Sequence, residues 1–421
     1  MKRGIKFIVL WIVLLVVGLV GVFYYQNLRG VWSAIQSPPD DITNVIPPAA
    51  PTPSPSPQSS STPPVVIPSP TNATNMPLSL PSGFSISILA KDLSGARVMA
   101  RDQFGNFWVS RPNAGVVTLV SLQDGIVKHQ GDVLKNLNKP HGLVFDPKYP
   151  GSLFIAESNK IIRIATYSDQ EAPDKIIDLP SGGHHDLHTI KFGPDDRLYV
   201  TLGSTCNVCI ESDERSAKIF SMNRDGSDFK EFARGLRNSP FFTWSYVDGR
   251  MWATEMGRDL LGDDTPPDEI NVIKQGSNYG WPNCYGKNIH DTDFDKNTYV
   301  RNPCMEPFET PSFIDIPAHS APLGLAFVPE EGWPEKYWYN LLVAYHGSWN
   351  RSTPTGYKVV RVKLDSKGNF LGTEDFITGW ITPKGALGRP VDILIEPGGV
   401  MFISDDKAGV IYKVITSVGQ Q

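Results

Sequence analysis

The sequence predicts an all-β protein: a six-bladed β-propeller, preceded by one N-terminal transmembrane helix and a Pro-rich linker. Three observations carry that expectation. Helical periodicity is almost absent after residue 80. Short β-rich runs recur there instead, each entered through a polar turn: GNFWVS, GSLFIA, DRLYVT, GRMWAT, YNLLVA and GVMFIS. Their second core residues are Trp108, Phe154, Tyr199, Trp252, Leu342 and Phe402, spaced by 46, 45, 53, 90 and 60 residues. Most runs follow another strand ending near a Pro or Asp turn (GLVFDP, TIKFGP, GLAFVP, DILIEP). Most precede a third (KIIRIA, AKIFSMN, DEINVIK, GYKVVRVKL, GVIYKV). Strand–turn–strand–strand units repeated at this period stack as propeller blades. The 90-residue gap is read as an insertion over 280–322, rich in Asn, Asp and Pro, and not as a seventh blade.

Taken in order, the first element is residues 1–30. Residues 7–25 hold nineteen residues without a charge, long enough for the roughly 30 Å hydrocarbon core. Lys2, Arg3 and Lys6 precede them and only Arg29 follows closely, which predicts a cytoplasmic N-terminus and an extracytoplasmic remainder, periplasmic or extracellular. A cleaved signal peptide competes with this single-pass signal-anchor, although no A-x-A site follows the run. The second element, residues 31–77, is a Pro/Ser/Thr-rich linker: residues 38–81 hold fourteen of the 36 prolines. Such a stretch cannot bury a core and acts as a semi-rigid spacer. The third, residues 78–421, is long enough for a sizeable core.

The net charge of −5 and the absence of a basic run beyond the N-terminus argue against a nucleic-acid partner. The four cysteines fall as local pairs, Cys206 with Cys209 and Cys284 with Cys304. An even count in an exported domain favours two disulfides. A four-thiolate zinc site is the rival, but the second pair lacks the C-x-x-C spacing such a site would need.

Polar loop residues concentrate at a few points. Gly182-Gly183-His184-His185-Asp186-Leu187-His188 places three of the eight histidines within five residues. A metal site, a general base and plain solvated histidines all fit that cluster. GLRN contributes Arg237 and Asn238; a guanidinium fork suits carboxylates, and a surface salt bridge is the plainer reading. In MGRDLLGDDTPPDEIN, Asp259, Asp263, Asp264, Asp268 and Glu269 offer oxygen donors for Ca²⁺, or simply an acidic loop. His346-Gly347-Ser348-Trp349-Asn350-Arg351 and Gly388-Arg389-Pro390 complete the set.

Together these segments resemble the glucose/sorbosone dehydrogenase family, six-bladed propellers that use pyrroloquinoline quinone (PQQ). The resemblance rests on GGHHDLHTIKFGPDDRLYVTLGSTCNVC, ARGLRNSPFFTW, GRDLLGDDTPPDEINVIKQGSNYGWPNCYG, AHSAPLGLAF, HGSWNRSTPTGYKVVRV and LGRPVDILIEPGGVMFISDD. It spans about residues 78–416 and is nearest to the sorbosone- or pyranose-dehydrogenase-like branch. It implies that His185 is the catalytic base, taking the proton of a sugar's anomeric hydroxyl as hydride leaves C1, with Asp268 orienting that imidazole. It implies that the Gly257 and Arg258 carbonyls hold the cofactor's Ca²⁺, a Lewis acid on the quinone. Arg237, Asn238 and Arg389 match cofactor-binding positions, and His346, Trp349 and Arg351 a basic loop brought to the cofactor. Glu269 and Tyr279 match a region holding structural Ca²⁺ in some members. The chain departs from the family at His188 and Thr189, where an Arg is frequent, and at Val391, where a second Arg stands in the soluble glucose enzymes.

The expected activity is therefore an externally facing, PQQ-dependent oxidation of an aldose or related sugar. Electrons would pass to an outside quinone or cytochrome, since no C-x-x-C-H haem motif is present. A non-redox sugar-binding or adhesive propeller and a Ca²⁺-dependent lactonase-like hydrolase are the alternatives.

Overall fold

The computed structural model describes residues 71–167 and 172–417. The expected anchor at residues 7–25 and the linker up to residue 70 lie outside the described residues. Among those described, no helix is long and apolar enough to cross a membrane.

Six antiparallel sheets form the six blades. Blade 1 is built from Met99–Arg101, Phe107–Arg111, Val116–Gln123 and Ile126–Leu134. Blade 2 runs from Leu143–Phe145 to Asp174–Asp178, blade 3 from Ile190–Phe192 to Lys230–Arg234, and blade 5 from Pro322–Phe327 to Phe370–Ile377. Blade 4 holds Phe242–Trp244, Met251–Glu255, Asp268–Ile273 and Ile314–Ile316. Blade 6 joins Pro390–Glu396, Val400–Asp405 and Val410–Thr416 to the early strand Phe84–Ala90, which closes the ring. Closure in this way removes a free sheet edge.

The recurring aromatic or aliphatic residue of each repeat falls on the second strand, where a fully flanked position selects a large apolar side chain. Trp108, Phe154, Tyr199, Trp252, Leu342 and Phe402 are all buried. Trp252 joins two blades: its ring meets Phe313 and Phe327 edge-on, with centroids 5.0 and 5.7 Å away. Edge-to-face geometry is the favoured one for aromatic quadrupoles.

The long gap is an insertion, as expected, but its limits differ. The excursion occupies residues 274–313, inside blade 4 between its third and fourth strands. It is fastened by the Cys284–Cys304 disulfide. The second disulfide joins Cys206 to Cys209 in the blade 3 loop over 203–217. Both expected bridges are present, and these sulfurs bonded in pairs are not the thiolates a zinc site requires.

One boundary moves. Asn72–Ala73, assigned by composition to the linker, pairs in parallel with Ile86 and Ser87 on blade 6. Asn72 Nδ2 donates to the carbonyls of Met76 and Leu78. Polar composition misled here because a single asparagine turn supplies the backbone partners that the prolines around it cannot.

Candidate active site

On one face of the ring, the loops entering blades 3, 4 and 5 meet the loops between second and third strands. They enclose a cavity of about 210 Å³. His185, Arg237, Asn238, Gly257, Asp268 and Trp349 line it, together with Asp259, His319 and Asn350.

His185 sits on the loop before blade 3, which lies directly on residues 203–205. The amides of His184 and His185 donate to the carbonyls of Thr205 and Ser204. Two glycines permit this contact. A Cβ on Gly203 would stand 2.5 Å from the His185 Cβ, and one on Gly183 would stand 2.5 Å from the Thr205 Cα. Nδ1 of His185 is 2.8 Å from Ser204 Oγ and 3.1 Å from the Ser204 carbonyl. Ser204 Oγ in turn donates to the Cys206 carbonyl at 2.8 Å. A carbonyl can only accept, and a hydroxyl that has spent its proton can only accept. His185 therefore carries its proton on Nδ1, leaving Nε2 with a lone pair. Burial holds the ring neutral, with its pKa lowered to about 3, and the Arg237 charge adds to that effect.

The hydrogen bond expected between Asp268 and His185 is not made. Asp268 is buried at the start of a strand, and its Oδ1 accepts from the Gly257 amide and its Oδ2 from the Ala321 amide, at 2.9 and 2.8 Å. Burial raises it to about 7 in spite of these two donors. The side-chain partner of the His185 ring is Ser204.

Arg237 is 3 % exposed and is held rigidly. Its Nε donates to the Asn207 carbonyl, its Nη2 to Asn207 Oδ1 and Asp259 Oδ2, and its Nη1 to the Met256 carbonyl. Four of its five N–H groups are thus used, which leaves one on Nη1 for a ligand. The Asn238 amide donates to Glu255 Oε1 at 3.0 Å. Trp349, 43 % exposed, stands at the rim.

The remaining candidates lie elsewhere. His346 Nε2 donates to Asp406, 2.9 and 3.0 Å from its two oxygens. Arg389 packs beneath that loop, donating to the carbonyls of His346 and Gly347 and facing the Tyr357 ring. Arg97 completes this cluster with an ion pair to Asp406 at 2.9 Å. Burial would push Asp406 up, but His346, Arg97 and Arg389 more than offset it and hold it well below the usual carboxylate range. His346 is driven to about 4, by burial first and then by Arg389. Arg351 does not line the cavity: it reaches Asp264 and the carbonyls of Asp263 and Ala318. Asp263 also accepts from Ser352, so the acidic loop is clasped to the loop over 346–357. The Arg258 side chain pairs with Asp291 at 2.8 Å.

Glu269 and Tyr279 line a smaller neighbouring cavity with Glu255 and Asp291. Glu269 accepts from Asn271 and the Gly286 amide, and burial raises it to about 7. Tyr279 Oη donates to the Val272 carbonyl and accepts from the Lys274 amide, so its hydroxyl is already satisfied within the protein.

The residues present suit a divalent cation and a hydroxyl-rich ligand. Asn350 Nδ2 is fixed on Asp259 Oδ1 at 3.1 Å, and its Oδ1 is buried without a partner. No hydrogen bond to the Gly257 or Arg258 carbonyl is present among the described residues. A buried acceptor left without a donor, as Asn350 Oδ1 is, is costly, and hard oxygen donors such as the half-exposed backbone at Gly257 and Arg258 favour Ca²⁺. The spare Arg237 N–H and the open face of Trp349 suit an anionic, flat cofactor. Sequence reasoning missed Ser204 and Asn207, gave Asn350 no role of its own within the loop over 346–351, and read Asp259 only as one of an acidic crowd. Asn207, standing between two cysteines in TCNVC, offered the one visible signal.

Residues 78–417 match the TrAA12-like family, and the chain belongs to it. An uncharacterized protein of Borreliella burgdorferi is 31% identical over 356 residues, covering 80% of this chain and 90% of that one. Two solved structures share the fold. The PQQ domain of pyranose dehydrogenase from Coprinopsis cinerea, in its holo form, has TM-score 0.67 at 19% identity, covering 82% of this chain and 99% of that one. A calcium structure of the Trichoderma reesei family AA12 protein has TM-score 0.70 at 20% identity, covering 81% and 97%.

Proposed function

We propose that the protein is a PQQ- and Ca²⁺-dependent dehydrogenase that oxidises an aldose or related sugar at C1. The fixed tautomer of His185 is the observation that carries this reading. His185 lines a cavity with a guanidinium, a spare oxygen acceptor and an aromatic rim, and with Nδ1 occupied it is Nε2 that is left to accept from a sugar hydroxyl. A bound PQQ would supply the hydride acceptor, and a bound Ca²⁺ would supply a Lewis acid for it. His185 Nε2 accepts the proton of the anomeric hydroxyl, and Ser204 keeps the ring from turning as charge develops on it. Arg237 and Asn238 hold the cofactor's anionic edge, while Gly257 and Arg258 offer their carbonyls to the metal. Asn350 Oδ1 is placed to accept from a substrate hydroxyl. Within the family, the sorbosone- or pyranose-dehydrogenase-like branch is the one we propose, since the quoted segments look nearest to it. Electrons then leave to an external quinone or cytochrome.

We further propose that residues 7–25 anchor the propeller outside the cytoplasm, in keeping with their nineteen uncharged residues. The decisive experiment titrates the protein with PQQ, with and without Ca²⁺, following cofactor absorbance and dye reduction with a panel of aldoses. Saturable, Ca²⁺-dependent binding with sugar-driven reduction, abolished in His185→Ala, is the expected result. Absence of binding at tens of micromolar PQQ would direct attention to sugar binding or lactone hydrolysis.

A further inference from the structure

The loop Thr205-Cys206-Asn207-Val208-Cys209 touches both halves of the candidate site. We propose that it is a positioning clamp: the Cys206–Cys209 disulfide closes a small ring that fixes the base through the Cys206 carbonyl and the guanidinium through Asn207. This inference rests on the dehydrogenase reading for its effect on turnover, but not for its structural content.

The bonds are continuous. The Cys206 carbonyl takes the Ser204 hydroxyl proton at 2.8 Å, which forces Ser204 Oγ to accept from His185 Nδ1. Without that acceptor the hydroxyl would be free to donate to Nδ1, and only the Ser204 carbonyl would still favour Nδ1–H, so both tautomers would become populated. Asn207 bridges two other chain segments. Its carbonyl and Oδ1 receive Arg237 Nε and Nη2, both at 2.8 Å. The same Oδ1 accepts from the Asp259 amide at 2.8 Å, and Nδ2 donates to the Asp259 carbonyl at 3.0 Å. Asp259 closes the circuit by binding Arg237 Nη2. Glu211 secures the ring from outside, accepting from the amide and hydroxyl of Thr205 at 2.8 and 2.6 Å. The bonds to the His185 ring, and two of the four to the Arg237 guanidinium, therefore start inside, or next to, a ring closed over a sequence separation of 3. Partners of this kind hold a reactive group in one orientation, and their loss typically weakens ligand binding or turnover about 10–100-fold.

The test uses the full chain labelled with ¹⁵N in histidine and arginine, without cofactor. His185 is assigned by the signal lost in His185→Gln and Arg237 by that lost in Arg237→Lys. The parent is expected to show His185 as a single Nδ1–H tautomer and a slowly exchanging Arg237 Nε–H. The paired substitution Cys206→Ser with Cys209→Ser is expected to give mixed His185 tautomers. Asn207→Ala, which keeps the disulfide, is expected to speed Arg237 Nε–H exchange and weaken PQQ binding about tenfold, with Asn207→Asp recovering part of the exchange protection. Unchanged His185 and Arg237 signals in these variants would overturn the clamp. If the cysteine variant does not fold, Asn207→Ala alone decides, since its signature is Arg237 exchange. Should the parent bind no PQQ while these signals move as stated, the dehydrogenase reading fails and the clamp stands.

Discussion

Two half-buried histidines, His185 on the loop entering blade 3 and His346 on the loop after the second strand of blade 5, have settings that differ in one respect. His346 has a carboxylate partner, Asp406, and two arginines around it. His185 has only a hydroxyl and a carbonyl on Nδ1. A carboxylate beside an imidazole invites a shared proton and a fixed ion cluster, whereas a hydroxyl that has already donated fixes the tautomer and adds no charge. The first arrangement builds structure at the junction of blades 5, 6 and 1; the second leaves a lone pair free to work.

The largest effect that tests this contrast is on turnover. His185→Ala is expected to lower kcat about 10²–10⁴-fold, the range for loss of a general base, with thermal melting little changed. A variant that melts early and keeps its kcat would reverse the assignment. On the other side, Asp406→Asn leaves Arg97, Arg389 and His346 without their common anion. It is expected to lower stability by about 2–3 kcal/mol, read as a shift in urea midpoint. A midpoint matching the parent would show the cluster to be dispensable.

The two disulfides sharpen the contrast further. Cys284–Cys304 spans 20 residues and Cys206–Cys209 only 3. Chain entropy makes the longer closure worth about 3 kcal/mol and the shorter one about 2 kcal/mol. Cys284→Ser with Cys304→Ser is therefore expected to cost more stability than the Cys206/Cys209 pair, and to disturb the histidine signals less. The reverse ranking by denaturant titration would undo the division of labour between them.

The smallest effect is on pH dependence. His185 must be unprotonated to accept a proton, and burial followed by Arg237 lowers its pKa to about 3. The acid limb of the turnover profile is expected below pH 5, with no inflection near the 6.5 of an ordinary imidazole. Folding stability runs in step with the same shift. A histidine whose folded pKa is lowered binds fewer protons folded than unfolded, so its neutral state is fully favourable above 6.5. That contribution is lost as pH falls from 6.5 toward 3 for His185 and toward 4 for His346. An acid limb centred at 6.5 would mean that another group sets the profile.

The blades were legible because the same physics repeats in each: a buried second strand demands a large apolar residue at a regular interval. The histidine cluster was visible by density alone. Its partner was not, because Ser204 lies nineteen residues away on a loop whose path depends on Gly183 and Gly203. The partners of Asp268 were hidden for a related reason. Being next to the site in sequence says nothing of whether a buried carboxylate turns to an imidazole or to two backbone amides. Arg389 belongs with His346 and Gly347 because Pro390 begins an inner strand directly after it, and no local pattern announces that register.

The way the ring closes bears on how the chain is made. Residues 84–90 pair with 411–416, the first described blade strand with the last. During synthesis the early strand must wait, unpaired and apolar on alternate positions, until nearly the whole domain has emerged. Contacts this distant in sequence slow folding, and an unsatisfied strand is a template for association with other chains. A chaperone that holds that strand until its partner arrives would limit such association.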